Sequence, residues 1–150
     1  MDLDFRNKLN NIVASVRATA LIIKDEKIFL TKDSNNRYYP LGGAVKIGET
    51  TESAVSRETK EEVGIDVVID RLAFIVENYF FEEDVSWHNI EFHYIVSPKE
   101  EPDLKMQEGS KVQVCEWVEI NKLDEIDLVP EFLKTELPNW NGQLKHVINK

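Results

Sequence analysis

The sequence predicts a mixed α/β (α+β) fold in a single unit over residues 1–150, and three observations carry that prediction. Several short runs are rich in β-branched and aromatic residues and alternate as strands do. Among them lies one segment with both the start and the stop signal of an α-helix. No repeat, low-complexity tract or linker divides the chain, and 150 residues suffice for one domain with a real core.

The elements follow in order. Ser15 to Ile23, "SVRATALII", is β-rich, and Asp25 and Glu26 make a turn into a second strand, "KIFLTK". The polar cluster "DSNNR" ends that strand, and "YYPLGG" follows as a loop or short strand. Thr51 to Val63 reads as the helix: Thr50 is its N-cap, Glu52 favours its first turn, and Gly64 stands where a left-handed C-terminal residue belongs. Strands are expected at Asp66–Phe81, interrupted near Asp70 and Arg71, and at Trp87–Val96. The acidic stretch "PKEEPDLKMQEGSK" is looser and leads to a last strand at Val112–Ile120, with "VPEFLKTEL" a helix candidate near the end.

Composition narrows the function. With 28 acidic against 18 basic residues the net charge is −10, which repels nucleic-acid polymers and anionic membranes alike. Phosphate ligands are repelled too unless a cation intervenes. The single cysteine, Cys115, has no internal disulfide partner and sits in the strand-like "VQVCEWVEI", where a buried structural thiol is expected. The N-terminus lacks the basic start and apolar stretch of a signal peptide, and apolar runs such as "ALII" are too short to span a membrane. A cytoplasmic location is the expectation.

The stretch "GGAVKIGET", Gly42 to Thr50, nearly matches a phosphate-binding P-loop. Gly43, Gly48 and Thr50 fall into place, but Glu49 stands where that loop needs a lysine, and a carboxylate there repels phosphate. The helix that follows is acidic. At about 100° per residue, Glu58, Glu61 and Glu62 fall within an arc of roughly 80 to 100° on one turn. Such crowding costs a few tenths of a kcal/mol per like-charged pair on an exposed helix, and a divalent cation with hard oxygen ligands removes that cost. A solvated acidic face, with Arg57 pairing to Glu61 one turn on, accounts for the same residues.

Loop and helix together say more. From Gly43, five residues lead to Glu49 and seven more to Arg57-Glu58; Thr59, Lys60, Glu61, Glu62, Val63, Gly64 and Ile65 follow. This pattern resembles the Nudix box of the Nudix hydrolases, with Thr59 standing where the family has an aliphatic residue. The resemblance covers about 23 residues and implies an α/β/α sandwich with a mixed central sheet and a loop–helix–loop motif. It implies Mg²⁺ or Mn²⁺ as cofactor, with Glu58, Glu61 and Glu62 as carboxylate ligands and a main-chain carbonyl near Gly42 as another. It implies that Arg57 positions a neighbouring carboxylate. Glu49 either reaches a metal or serves as the salt-bridge partner of Arg57. Glu58 is the first choice of general base, Glu61 belongs to the same catalytic group, and a loop acid is the alternative base; Glu108 is chosen over Glu100, Glu101 and Asp103 as the additional acid.

The implied reaction is hydrolysis of the diphosphate linkage in a nucleoside diphosphate joined to a further group X, with water attacking phosphorus. Its partner is a small-molecule nucleotide or nucleoside diphosphate derivative, and a homodimer is a candidate assembly. Arg17 and Lys32, on early strands, are candidate phosphate contacts, and Tyr39 is a candidate substrate contact. Tyr38, Phe80, Phe81 and Trp87 are further stacking candidates that the core also claims. His88 fits an ordinary strand histidine. Two departures bear on X: Leu41 is inserted into the family's Pro-Gly-Gly lead-in, and no proline lies between Gly43 and Ser97, unlike the ADP-ribose subfamily. The alternative function is a nucleotide-sensing binding module on the same fold; the intact box acids favour catalysis. An acidic cation-binding protein is a third reading, and no EF-hand loop supports it, since "DSNNR" lacks the central glycine and terminal glutamate.

Overall fold

Alternation along one long strand sets the architecture. The computed structural model describes residues 3–150, except for the side chain of Glu108. In β2 (Ile12–Lys24), Ala18, Ala20 and Ile22 face one core, while Leu21 and Ile23 face the other, as period-two side chains must. The first core is closed by α1 (Thr51–Val63), which adds Ala54, Val55 and Val63. The second is closed by the C-terminal segment through Leu123, Leu128, Leu133 and Leu137. Each large aliphatic side chain buried this way contributes roughly 1.5–3 kcal/mol. The result is a mixed sheet covered on both faces, as the resemblance implied.

β2 runs parallel to β7 (Val85–Pro98) from Ile12 opposite Ser86 to Ile22 opposite Val96. β7 pairs antiparallel with β6 (Val67–Glu82), and β6 pairs in parallel with β11 (Lys145–Asn149). On its other side β2 splits its partners. Residues Arg17 to Ala20 pair with β5 (Leu41–Ala44), and only Ile23 and Lys24 pair with β3 (Lys27–Lys32). β3 continues to β4 (Arg37–Tyr39) and to β9 (Lys111–Glu119), beside β8 (Lys105–Glu108). The chain crosses from one ladder to the other at Pro40, and a cleft opens where they part.

The helix matches the sequence expectation at both ends. Thr50 accepts a hydrogen bond from the Ser53 amide at 3.1 Å, and Gly64 adopts φ 75°, a left-handed conformation suited to glycine. The Asp25–Glu26 turn forms with both residues at positive φ, and Glu83–Asp84 repeats it between β6 and β7.

Elsewhere the boundaries move. The interruption expected near Asp70 and Arg71 is a pair of register shifts inside one continuous β6, since a bulge bends a strand without ending it. Val112–Ile120 is not the last strand: β10 (Asp127–Leu128), beside β4, and β11 follow it, and β1 (Arg6–Leu9) precedes β2 as its hairpin partner. The helix expected over "VPEFLKTEL" shrinks to α2 (Leu133–Glu136), held between Pro130 and Pro138. Cys115 is buried, and burial pushes its thiol up to about 11, which keeps it protonated and inert.

Candidate active site

Two residues without side chains bring the acidic helix onto the sheet. Gly42 and Gly43 lie in β5, opposite Thr19 and Ala18 of β2, and α1 packs across them. A Cβ at Gly43 would fall 2.7 Å from Cδ and 2.9 Å from Oε2 of Glu58, so the Glu58 carboxylate occupies the space a side chain would fill. The Gly42 amide donates to Glu62 Oε1 at 3.2 Å. Two carboxylates one turn apart therefore rest on the same stretch of main chain.

Arg57 ties the rest together. Its Nε donates to Glu49 Oε2 at 3.0 Å and its Nη2 to Glu49 Oε1 at 2.6 Å, a two-pronged pair between side chains that are both largely buried. Glu49 also accepts from the Lys46 amide at 2.8 Å. Of the two roles open to Glu49, the geometry displays the salt bridge to Arg57. Nη1 of Arg57 reaches Glu58 Oε1 at 3.0 Å and the exposed Glu61 Oε2 at 3.3 Å, so the arginine sits among three carboxylates.

The charges respond to these contacts. The hydrogen bonds from Arg57 hold the Glu49 carboxyl below its usual range and raise the guanidinium in return. Glu58 goes the other way: burial raises its carboxyl, and Arg57 offsets only part of that. A carboxylate of raised basicity beside a cleft is suited to accept a proton.

Among the described residues, no three Asp, Glu, His or Cys side chains are gathered closely enough to hold an ion as they stand. The donor set nevertheless fits a hard divalent cation. Glu58 and Glu62 present oxygens over a glycine cradle, and Glu61 follows on the exposed side of the same turn.

The cleft itself, about 310 Å³, is lined by Arg17, Tyr39, Gly42, Glu62 and Lys111 among others. The Arg17 side chain forms no ion pair or hydrogen bond with another described residue. Tyr39 is fixed by a 2.9 Å hydrogen bond to Asp33 and by Arg37 over its ring, and burial pushes its hydroxyl up to about 12.

Lys32, the other candidate cation, is one residue out of phase. Thr31 faces the cleft, while Lys32 turns to the opposite face, where it meets Glu116 at 3.5 Å and covers the Tyr38 ring. The Glu108 side chain lies outside the described residues. Of the other loop acids, Glu100 caps the Asp66 amide, Glu101 accepts from the Trp117 indole, and Asp103 shares a groove with Glu61 and Glu62. His88 is exposed and edge-on to Tyr79, away from this cleft.

A second cavity of about 460 Å³ adjoins the first and shares Arg17, Tyr39, Pro40 and Lys111 with it. Sequence reasoning missed most of its lining. Asn89 and Glu91 project into it from β7, Asn78 from β6, and the cross-strand pair Phe80 and Trp87 forms an aromatic wall. The signal that could have found it is the run Asn89, Glu91, His93, which places three polar side chains on one strand face, all buried.

Comparison with known proteins identifies the family. The NUDIX domain family matches residues 14–139 of the chain. An ADP-ribose pyrophosphatase of Methanocaldococcus jannaschii (strain ATCC 43067 / DSM 2661 / JAL-1 / JCM 10045 / NBRC 100440) is 28% identical over 135 residues, which cover 85% of this chain and 75% of that protein. The crystal structure of an ADP-ribose pyrophosphatase from Streptococcus suis 89-1591 superposes with a TM-score of 0.61 at 17% identity, covering 89% of this chain and 98% of the other. That of a NUDIX hydrolase from Nitrosomonas europaea gives 0.64 at 20% identity, over 90% and 78%. The two structures share the fold, and the family match spans the strand carrying Arg17, the glycine cradle and the acidic helix. The chain belongs to the Nudix family and is a Nudix pyrophosphohydrolase.

Proposed function

We propose that the chain hydrolyses the diphosphate linkage of a ribonucleoside diphosphate joined to X, with ADP-ribose the first substrate to test, and that it uses Mg²⁺ or Mn²⁺. The observation that carries this reading is the pair of carboxylates, Glu58 and Glu62, set on the Gly42–Gly43 main chain beside a cleft lined by Arg17, whose side chain makes no hydrogen bond or ion pair with another described residue. The 28% identity to an ADP-ribose pyrophosphatase supports the substrate class. The ion would be held by Glu58, Glu61 and Glu62 with a main-chain oxygen near Gly42. Once bound, it neutralises diphosphate charge and lowers the pKa of water.

The chain's own residues supply the rest. Arg17 attracts the diphosphate and fixes it beside the helix. Arg57, anchored by Glu49, keeps Glu58 in place. Glu58 accepts the proton of the attacking water as its oxygen bonds to phosphorus and the bond from phosphorus to the bridging oxygen breaks, leaving two monophosphate products. The cytoplasm, where nucleotides and Mg²⁺ are both abundant, is the compartment this chemistry needs. Among the described residues no helix is long and apolar enough to cross a membrane.

The test is product release from ADP-ribose, other nucleoside diphosphate derivatives and nucleoside triphosphates with Mg²⁺. The parent turns over at least one of them, and the Glu61→Gln, Glu62→Gln double variant does not, while keeping its thermal transition. Full activity in that variant sinks the metal assignment. No turnover by the parent favours the nucleotide-sensing module. Reaction in heavy-oxygen water identifies the phosphorus attacked.

A further inference from the structure

The second cavity carries groups that diphosphate hydrolysis does not require. Its floor is Glu91, 5% exposed, whose Oε1 receives the His93 Nε2 contact at 2.8 Å and whose Oε2 accepts from Asn78 Nδ2 at 2.9 Å. Burial works to raise this carboxyl, but hydrogen bonds from His93 and Asn78, with the charge of Arg17, outweigh it and hold Glu91 below its usual range. Asn78 is fixed in turn by Asn149, and Asn89 accepts from the Ser15 hydroxyl at 2.8 Å. The network is rigid and incomplete. A carboxylate has about four lone-pair sites, and Glu91 uses two. The Asn89 amide donors have no partner among the described residues, and both residues line the cavity. Such a surface selects a ligand with adjacent hydroxyl donors.

The order of groups along the strands says which part of a ligand that is. Arg17 stands opposite Glu91 in the ladder, Ser15 opposite Asn89, and Val13 opposite Trp87. From the level of Arg17 and Glu91 to that of Trp87 is four residues, roughly 13 Å at ~3.3 Å each. Moving away from the phosphate cleft, a ligand meets a cation and the open carboxylate side by side at one level, then the amide of Asn89, then the aromatic wall. The Phe80 and Trp87 rings are nearly parallel, at 6° and 5.9 Å between centroids, too close to admit a third ring between them. An aromatic base therefore stacks on the outside of the pair. The sequence phosphate, donor-rich sugar, flat base is that of a nucleotide.

We propose that Glu91, with Asn89, is the specificity-determining pair that holds the ribose cis-diol of the nucleotide, making the enzyme selective for ribonucleotides over deoxyribonucleotides. Two vicinal hydroxyls donate to the two open sites of Glu91, the Asn89 amide donates back to a hydroxyl oxygen, and Phe80 and Trp87 support the base. A substrate without these hydroxyls leaves the two remaining acceptor sites of a buried carboxylate unfilled. That penalty falls on deoxy substrates irrespective of the base. The inference rests on the nucleoside diphosphate reading above, and its test does not need turnover.

Isothermal titration calorimetry of the full chain, without metal, compares AMP, 2′-deoxy-AMP and 2′,3′-dideoxy-AMP. AMP binds about tenfold or more tighter than the dideoxy compound, with the 2′-deoxy compound between them. Glu91→Ala brings the ratio to within about twofold, and Trp87→Ala weakens all three alike by about tenfold, since stacking does not sense the hydroxyls. Equal affinities in the parent overturn the proposal, and so does a ratio that survives Glu91→Ala in a folded variant. The parent series decides the matter even if removing a buried carboxylate unfolds the chain. Turnover of ADP-ribose with no preference for ribose sinks this inference alone; a ribose preference in binding with no turnover of any substrate sinks the hydrolase reading alone.

Discussion

Replacing Gly43 by alanine separates the position of one carboxylate from the stability of the fold. The new Cβ would stand 2.7 Å from Glu58 Cδ and closer still to Oε1, against about 3.4 Å where ordinary contact begins, so the carboxylate must withdraw by about 1 Å. The obstructing atoms are the far end of a flexible side chain, and the adjustment costs about 1 kcal/mol of stability or less. A misplacement of about 1 Å in a reacting group costs on the order of a hundredfold in rate. Gly43→Ala is therefore expected to lose at least about tenfold in kcat/KM for ADP-ribose, or about 1.4 kcal/mol of transition-state stabilisation, while its thermal transition moves by only a few degrees. Gly42→Ala is the internal contrast. Its Cβ would run into main-chain atoms of Ala18 and Thr19, which cannot step aside, so stability falls along with activity. The assay is steady-state hydrolysis with Mg²⁺ paired with thermal denaturation. Wild-type kinetics in a stably folded Gly43→Ala protein would refute the assignment of Glu58 to the reacting geometry.

Other expectations follow from individual contacts. Arg17→Ala raises KM for ADP-ribose about tenfold or more with little change in melting temperature, because the guanidinium pairs with no other described residue; unchanged KM removes it from the phosphate site. Thr59→Val leaves stability within about 1 kcal/mol, since the lost hydrogen bond from the Thr59 hydroxyl to the Val55 carbonyl is offset by a better-buried methyl group; denaturant titration checks this. Glu91, with its carboxyl held below the ordinary 4.5, contributes stability that is present above that value and lost as pH falls through its lower folded-state value. Glu91→Gln therefore melts with a shallower pH dependence than the parent does as pH falls below about 4.5. A chelator abolishes turnover but lowers the melting temperature by only a few degrees, because Arg57 already pairs with Glu58 and Glu61 in the absence of an ion.

The parts readable from sequence are those fixed by neighbours in the chain. Thr50 and Gly64 delimit α1 because capping is decided within a few residues, and Asp25–Glu26 turns because short polar residues tolerate a left-handed backbone. The spacing of Gly43, Arg57, Glu58 and Glu62 was legible for the same reason. β11 was not, since its residues are mostly exposed and its partner β6 lies about seventy positions earlier. Lys32 shows how a single-residue phase decides a face: strand identity was readable, but the side of the sheet bearing the cleft was set by where β2 exchanges partners. The buried run Asn89, Glu91, His93 has the alternation of a solvated strand, and only the C-terminal segment folded over it, with Phe132 against the His93 ring, makes it an interior.

The guanidinium of Arg57 has a consequence for the life of the protein before it meets any ion. Newly made chains must fold whether or not metal is at hand, and a helix bearing three clustered carboxylates would otherwise resist closing onto the sheet. By carrying a resident positive charge at the end of one of its own side chains, the helix offsets part of that repulsion without help from outside. If the site takes a divalent ion as proposed, scarcity of that ion would idle the enzyme well before it endangered the fold.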